Sequence, residues 1–393
     1  MTSPLLRTLL ASSSLLLLGG QGFAQETVEA GDQTLTLHTV VSDLEHPWAI
    51  AFISDDEFLV TERNSGALRV GDRDGNLSDP IWEPDDLFRF EGESGRSQSG
   101  LFDIQLHPGF DQNQWAYISY SRETDRGAAL VVVRGKVMRD DGDDVAFSDV
   151  EDVFVMDEDD QDSSGLHFGG RMAFNPSDAS LFLSVGERRN ISRAQDAGDQ
   201  AGSVLRMTDS GDAHPQNSSF DTGEDEGEAD AYLYAMGVRN IQALAVRPED
   251  GQLWAADHGP DGGDAIRHIV AGSNHGWPFI TAGKDYSGAP LGVGREMEGM
   301  TSPVHFFDDT IAPSGLAFAP QDGAFDGWAG DMLVGALHGE GLVRVELEND
   351  RRADDELIEL GHRIRDVRIG PDGAIWMVTD HADGAVLRLT PQD

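Results

Sequence analysis

The sequence predicts an all-β chain folded as a six-bladed β-propeller of four-stranded blades. Three observations lead there. One strand-turn-strand phrase recurs six times, its period of roughly 50 to 75 residues leaves room for four short strands per repeat, and no interior Pro/Gly/Ser-rich stretch divides the chain. Radial repetition closes the array and leaves only short, protected edges. A pair of sandwich domains would also supply many short strands, but would not repeat the same Pro/Asp/Gly turn after the same kind of strand. Residues 25–393 are therefore expected to form a single domain.

Taken in order, the chain begins with the pattern of a secretory leader. Arg7 precedes an apolar run from Leu9 to Leu18, and Gly22-Phe23-Ala24 offers small residues for cleavage, so residues 1–24 are expected to be removed. An uncleaved anchor is the alternative, although the run is shorter than the about 20 apolar residues that span a bilayer. The first repeat follows at Pro47–Phe52, turns at Ser54-Asp55-Asp56 and returns through Phe58–Arg63. The second runs from Gly100–Leu106 through His107-Pro108-Gly109 to Ala116–Tyr120. The third is Met172–Phe174, a turn at Asn175-Pro176-Ser177-Asp178, and Leu181–Gly186. The fourth is Ile241–Val246 with Leu253–Ala256, the fifth Ser314–Phe318 with Met332–Gly335, and the sixth Arg365–Ile369 with Ala374–Val378. Alternating apolar residues flanked by Pro, Asp and Gly are what a hairpin of half-buried strands requires. Leu68–Val70 and Val386–Leu389 have the look of outer strands.

Composition narrows the partners. With 28 Lys and Arg against 71 Asp and Glu, the net charge is −43, which argues against nucleic acid or anionic membrane surfaces. Dense acidic runs from Asp140 to Asp162 and from Asp221 to Asp230 lack the spacing of an EF-hand loop and are expected to be solvated. There is no cysteine, so no disulfide holds the fold together even in an oxidising compartment.

Chemistry concentrates at Leu166-His167-Phe168-Gly169-Gly170-Arg171, which places a histidine able to move a proton on the loop leading into a strand. The same end of other repeats offers Gln98, Arg171, Arg239-Asn240, Arg363 and Arg365, while the far ends of second strands offer Glu187, His258 and His338. In a propeller these positions converge on one mouth of the central channel. Several arginines around a histidine describe a site for a planar, polyanionic ligand. Any one arginine alone would be read as a strand-edge ion pair.

The ordered blocks Gly100-Leu101…His107-Pro108-Gly109-Phe110, His167-Phe168-Gly169-Gly170-Arg171, Gly237-Val238-Arg239-Asn240-Ile241-Gln242, His258-Gly259-Pro260-Asp261-Gly262-Gly263-Asp264, Asn274-His275-Gly276-Trp277-Pro278, Ile311-Ala312-Pro313-Ser314-Gly315 and Arg363-Ile364-Arg365-Asp366-Val367 resemble the soluble quinoprotein sugar dehydrogenases. The similarity extends over nearly the whole chain after the leader. It implies a six-bladed propeller that carries pyrroloquinoline quinone (PQQ), with calcium bridging cofactor and protein. It also implies oxidation of an aldose to its lactone, hydride passing to PQQ and the hydroxyl proton to His167. By the same resemblance Glu187 and Arg239 join His167 in catalysis. Gln98, Arg239, Asn240, His338, Arg363 and Arg365 hold the quinone, and the Gly259 and Pro260 carbonyls hold the calcium. Three positions depart from the family pattern: Glu187 stands for an aspartate, His338 for a lysine that contacts the quinone, and Ala265 for a glutamate.

Electrons would leave to an external acceptor, a quinone or a cytochrome, because the chain has neither a Cys-x-x-Cys-His haem motif nor a Rossmann glycine fingerprint after a strand. The leader implies a periplasmic or secreted protein with no membrane insertion. Two other functions fit the same residues: a propeller that binds only a carbohydrate or metal after losing PQQ, and a calcium-dependent lactone hydrolase. The acidic surface carries its own expectation, since self-repulsion is screened by salt. Melting temperature should rise between dilute buffer and molar sodium chloride; melts that do not move would remove surface repulsion as a factor in stability.

Overall fold

A computed structural model describes residues 25–90, 97–139, 144–220, 222, 227–325 and 327–392. The predicted leader, part of each acidic run and residues 91–96 lie outside the described residues. Six sheets stand around a central axis. Their innermost strands are Pro47–Phe52, Leu101–Leu106, Gly169–Phe174, Ile241–Val246, Pro313–Phe318 and Ile364–Ile369, one for each predicted repeat. Second strands return antiparallel at Glu57–Glu62, Trp115–Thr124, Leu181–Val185, Leu253–Asp257, Met332–Ala336 and Ile375–Thr379. Among the described residues no helix is long and apolar enough to cross a membrane.

The blades follow the four-stranded plan with local variation. The second, fourth and fifth have four strands; the first has three, with short bridges from Trp82 and Leu77 along its outer edge. In the third blade Ser273–Asn274 adds a fifth strand parallel to Leu233–Met236. The sixth is composite. Gln33–Leu44 pairs with Gly384–Pro391, bringing Leu37 opposite Leu389, and Gln25–Ala30 lies outside it. The N-terminal strands thus close the ring against the C-terminal one, in a stretch, residues 25–46, to which the repeat pattern assigns no strand. Buried Leu35 and Leu37, alternating with Thr34 and Thr36, are the strand signal that marks this segment.

Blades adhere through apolar faces and through a repeated hydroxyl. Trp254, Leu316, Met332 and Val334 belong to one buried cluster between the fourth and fifth blades. In the first three blades the inner strand carries a register shift near its start. At each shift a hydroxyl on the second strand accepts an inner-strand N–H: Thr61 from Ala49 (3.1 Å), Ser119 from Asp103 (3.2 Å) and Ser184 from Arg171 (3.0 Å). Each hydroxyl then donates to a carbonyl of the next blade, at Phe102 (2.7 Å), Gly170 (2.6 Å) and Ile241 (3.3 Å). A bulge frees backbone groups from the ladder, and one side chain satisfies them across the interface.

On the axis, four charges interlock. Asp366 accepts from Arg171 Nη1 (2.7 Å), Arg368 Nε (2.9 Å) and the Ile50 N–H (3.2 Å). Asp103 accepts from Arg368 Nη2 (2.7 Å) and the Met172 N–H (2.8 Å). Arg171 also donates to the carbonyls of Gln242 (2.7 Å) and Arg365 (2.6 Å). Breaking a buried pair by deleting one partner typically costs about 3–5 kcal/mol, because the other charge is left uncompensated. Asp366→Ala should therefore lower the unfolding free energy by about that amount, read as a fall in the urea midpoint. A midpoint equal to the parent's would show that the lattice does not set stability.

Candidate active site

One end of the channel opens into a cavity of about 770 Å³ whose walls include Arg63, Gln98, His167, Asn240, Arg363 and Arg365. Trp48 is part of the lining, and the Arg171 guanidinium lies 3.9 Å from its ring centre. The sequence placed Arg171 among the groups facing the opening. The fold instead turns it into the axial lattice, where it donates to Asp366 and to two carbonyls and lies 3.5 Å from Asp103.

His167 is held from several directions. Its backbone lies in the left-handed region, φ 52°, uncommon for a residue with a Cβ. Its N–H donates to Gln98 Oε1 at 2.7 Å. Gly186 must be glycine for this loop to pack, since a Cβ there would stand 2.2 Å from the His167 carbonyl oxygen. The imidazole is buried, with Nδ1 2.7 Å from Glu187 Oε2. Burial drives the imidazole down to about 4, even though the Glu187 carboxylate pulls it up and Arg239 and Arg189 push it down again. Burial also opposes charge on Glu187. Hydrogen bonds from His167 and the Arg189 N–H, together with the Arg239 charge, outweigh it and hold the carboxyl below its ordinary range. Neutral imidazole beside ionised carboxylate fixes the tautomer: Nδ1–H donates to Glu187 and Nε2 keeps its lone pair. Among the described residues Nε2 has no hydrogen-bond partner.

The opposite wall is built on Asp380, which the sequence reading did not single out. His46 Nδ1 (3.0 Å), Arg63 Nη1 (3.6 Å), Arg363 Nη2 (3.4 Å) and Arg365 Nη2 (2.7 Å) converge on it. Burial opposes its charge, but Arg365, His46 and Arg63 hold it far below the usual carboxylate range. Three guanidiniums around one carboxylate leave the wall positive. Arg365 also keeps its buried Nε without a hydrogen-bond partner.

The remaining predicted residues fall at different distances from the cavity. Asn240 lines it and uses its Oδ1 to accept the Gly169 N–H at 3.1 Å. Arg239 is buried behind the lining, donating to the His258 carbonyl (3.1 Å) and the Tyr286 hydroxyl (3.3 Å), and acts on His167 and Glu187 through its charge. Gly259 and Pro260 occupy the loop after the fourth blade's second strand. Asp264 fixes this loop by accepting N–H groups from Gly259 (2.9 Å), Ile311 (3.0 Å) and Ala312 (2.8 Å). Among the described residues neither the Gly259 nor the Pro260 carbonyl accepts a hydrogen bond. His338 is exposed and outside the cavity lining, its N–H donating to the Ile311 carbonyl at 2.9 Å; its neighbour Leu337 reaches the cavity instead. Tyr286, Arg189 and Gln242 join the lining without having been predicted.

Known proteins are similar to this chain in sequence and in fold. An aldose sugar dehydrogenase of Escherichia coli strain K12 is 34% identical over 368 residues, spanning 93% of this chain and 95% of its own. Quinoprotein glucose dehydrogenase B of Acinetobacter calcoaceticus is 25% identical over 435 residues, spanning 90% and 87%. The crystal structure of the soluble aldose sugar dehydrogenase from Escherichia coli in its apo form superposes with a TM-score of 0.81 at 32% identity, covering 91% of this chain and all of that one. The sequence model of the glucose/sorbosone dehydrogenase family matches residues 44–388, and the chain belongs to that family of propeller enzymes.

Proposed function

We propose that the chain oxidises an aldose at its anomeric carbon to the lactone, using PQQ and calcium, and passes the electrons to an external quinone or cytochrome. The observation that carries this reading is a neutral, carboxylate-oriented imidazole beside a positively charged cavity in a protein of net charge −43. The cavity suits a planar, polyanionic cofactor. Its guanidiniums outnumber their carboxylate, and the unpartnered Arg365 Nε is a donor left over by the protein. The names of the relatives support the same reading, one as a quinoprotein and one as an aldose dehydrogenase. For calcium the support is the donor chemistry of the Gly259-Pro260 loop, whose carbonyl oxygens suit a hard cation. Among the described residues no group of three or more His, Cys, Asp or Glu side chains could hold a metal. The leader pattern supports a periplasmic or secreted location.

When bound, PQQ supplies the hydride acceptor and calcium the charge that polarises it. The protein does the rest. His167 Nε2 takes the hydroxyl proton as hydride leaves the same carbon, and Glu187 stabilises the imidazolium that forms. Arg363, Arg365, Gln98 and Asn240 hold the cofactor's carboxylates and oxygens. Arg239 sets the potential around the base. Trp48 separates the cavity from the axial lattice.

Chelator-stripped protein should bind PQQ saturably and, with calcium, reduce it when one of a panel of aldoses is added. His167→Ala should keep PQQ binding and lose about 10²- to 10⁴-fold in reduction rate. Because the imidazole is active when neutral and titrates near 4, kcat/KM should stay flat through neutrality and fall only as pH drops toward 4. Absence of PQQ binding would leave a carbohydrate- or metal-binding propeller as the better reading. Lactone hydrolysis without PQQ would make the chain a hydrolase.

A further inference from the structure

We infer that Arg188 is a positioning residue for His167, a guanidinium clamp that fixes the backbone on either side of the base; this rests on the reading of His167 as the base. The Arg188 side chain is buried. Its Nη1 donates to the Leu166 carbonyl at 2.6 Å and its Nη2 to the Ser164 carbonyl at 2.5 Å. Its Cζ stands 3.5 Å from the ring centre of Phe168. One planar group therefore grips the residue before His167 and the residue after it.

The clamp is expensive for the protein to hold. Burial lowers the guanidinium to about 10, against Asp162, whose carboxylate lies 3.4 Å away and raises it. Asp162 is itself shared with Arg193 at 2.6 Å, so Arg188 lacks a carboxylate of its own. A buried cation whose short hydrogen bonds go to two carbonyls, whose plane lies on an aromatic ring and whose one carboxylate contact is long and shared, is placed for geometry before ion pairing. The geometry it fixes is strained: His167, Arg188 and Arg189 have φ of 52°, 56° and 63°. Left-handed backbone at residues bearing a Cβ persists only where the surroundings over-determine it.

Three consecutive residues thus divide the work. The Glu187 carboxylate orients the imidazole, the Arg188 guanidinium holds its backbone, and the Arg189 N–H anchors Glu187 Oε2 at 2.5 Å. The charged groups acting on the imidazole are Glu187, Arg239 and Arg189, with the Asp380 group across the cavity. The influence of Arg188 therefore runs through the loop.

The test uses Arg188→Met and Arg188→Lys in the full mature chain. Lysine keeps the charge but lacks the fork that spans two carbonyls. Nitrogen-15 NMR of the imidazoles without cofactor, with His167 assigned by loss of its signals in His167→Asn, reads the base directly. Both variants should raise the His167 pKa by about one unit or more, as a loosened loop admits water. With PQQ and calcium present, kcat should fall about 10- to 100-fold while KM stays within about threefold. A folded variant that keeps the parent's His167 pKa and kcat overturns the clamp; should Arg188→Met fail to fold, Arg188→Lys decides alone. A shifted pKa with unchanged kcat upholds the clamp and overturns His167 as the base.

Discussion

Two aspartates and two arginines on the axis carry the constraint on which the remaining structure depends. Six inner strands meet there, their bulged ends leaving N–H and C=O groups that no ladder partner satisfies. Water would satisfy them at the cost of an open channel. Asp103 and Asp366 instead collect the Met172 and Ile50 N–H groups, while Arg171 collects the Gln242 and Arg365 carbonyls. The charges are matched, two against two, although burial still pushes the Asp103 carboxyl up and the Arg171 guanidinium down from their ordinary values. The first, second, third, fourth and sixth blades are tied at one point, and the fifth joins through Ser314, whose hydroxyl donates to Ile364 O at 2.5 Å. Replacing such a lattice with apolar side chains of equal volume need not cost stability, since buried ion pairs often do no better than break even. What the lattice supplies here is registry between strands far apart in sequence.

Charge is handled in opposite ways inside and outside. Acids crowd the surface, whereas among the described residues the cavity lining holds Arg63, Arg189, Arg363 and Arg365 with Asp380 as the one carboxylate. The basic residues are almost all arginine; Lys136 and Lys284 are the two lysines among 28 Lys and Arg. That choice follows from where the cations are used. A guanidinium spreads its charge and presents a planar fork, so it can span two carbonyls while buried, as Arg171 and Arg188 do. An ammonium in the same place would leave one carbonyl unpaired.

The fold was legible because each blade must solve the same problem with local residues. A strand that packs on both faces, a turn that needs Pro, Asp or Gly, and a return strand are written in contiguous sequence, and all six inner strands fall where that pattern puts them. Closure was not legible. The pairing of Leu37 with Leu389 joins opposite ends of the chain, and no local signal specifies such a partner. The site divides similarly. His167, Gln98, Asn240, Arg363 and Arg365 were found because strand ends converge in a propeller. Arg171 has the same sequence address and a different fate, since a bulge reverses which side chain faces the mouth. Asp380 had a readable signal that pattern reading passed over. Glu62, Glu187 and Asp257 end or follow second strands in other blades, and Asp380 occupies that place in the sixth.

Closure and site are coupled through Asp380. His46 and Arg63 belong to the segments around the first blade, Arg363 and Arg365 to the sixth, and Asp380 takes all four. The His46 N–H donates to the His381 carbonyl at 2.8 Å, beside the N-terminal strand that completes the sixth blade. Arg363, Arg365 and Asp380 all lie in the sixth blade, two guanidiniums on one carboxylate, so that blade alone already carries a surplus of positive charge. Where the first blade meets the sixth, His46 and Arg63 join the same carboxylate, and the surplus grows without a second acid among the described residues of the cavity lining. The positive wall opposite His167 thus begins in the sixth blade, and ring closure against the first blade enlarges it.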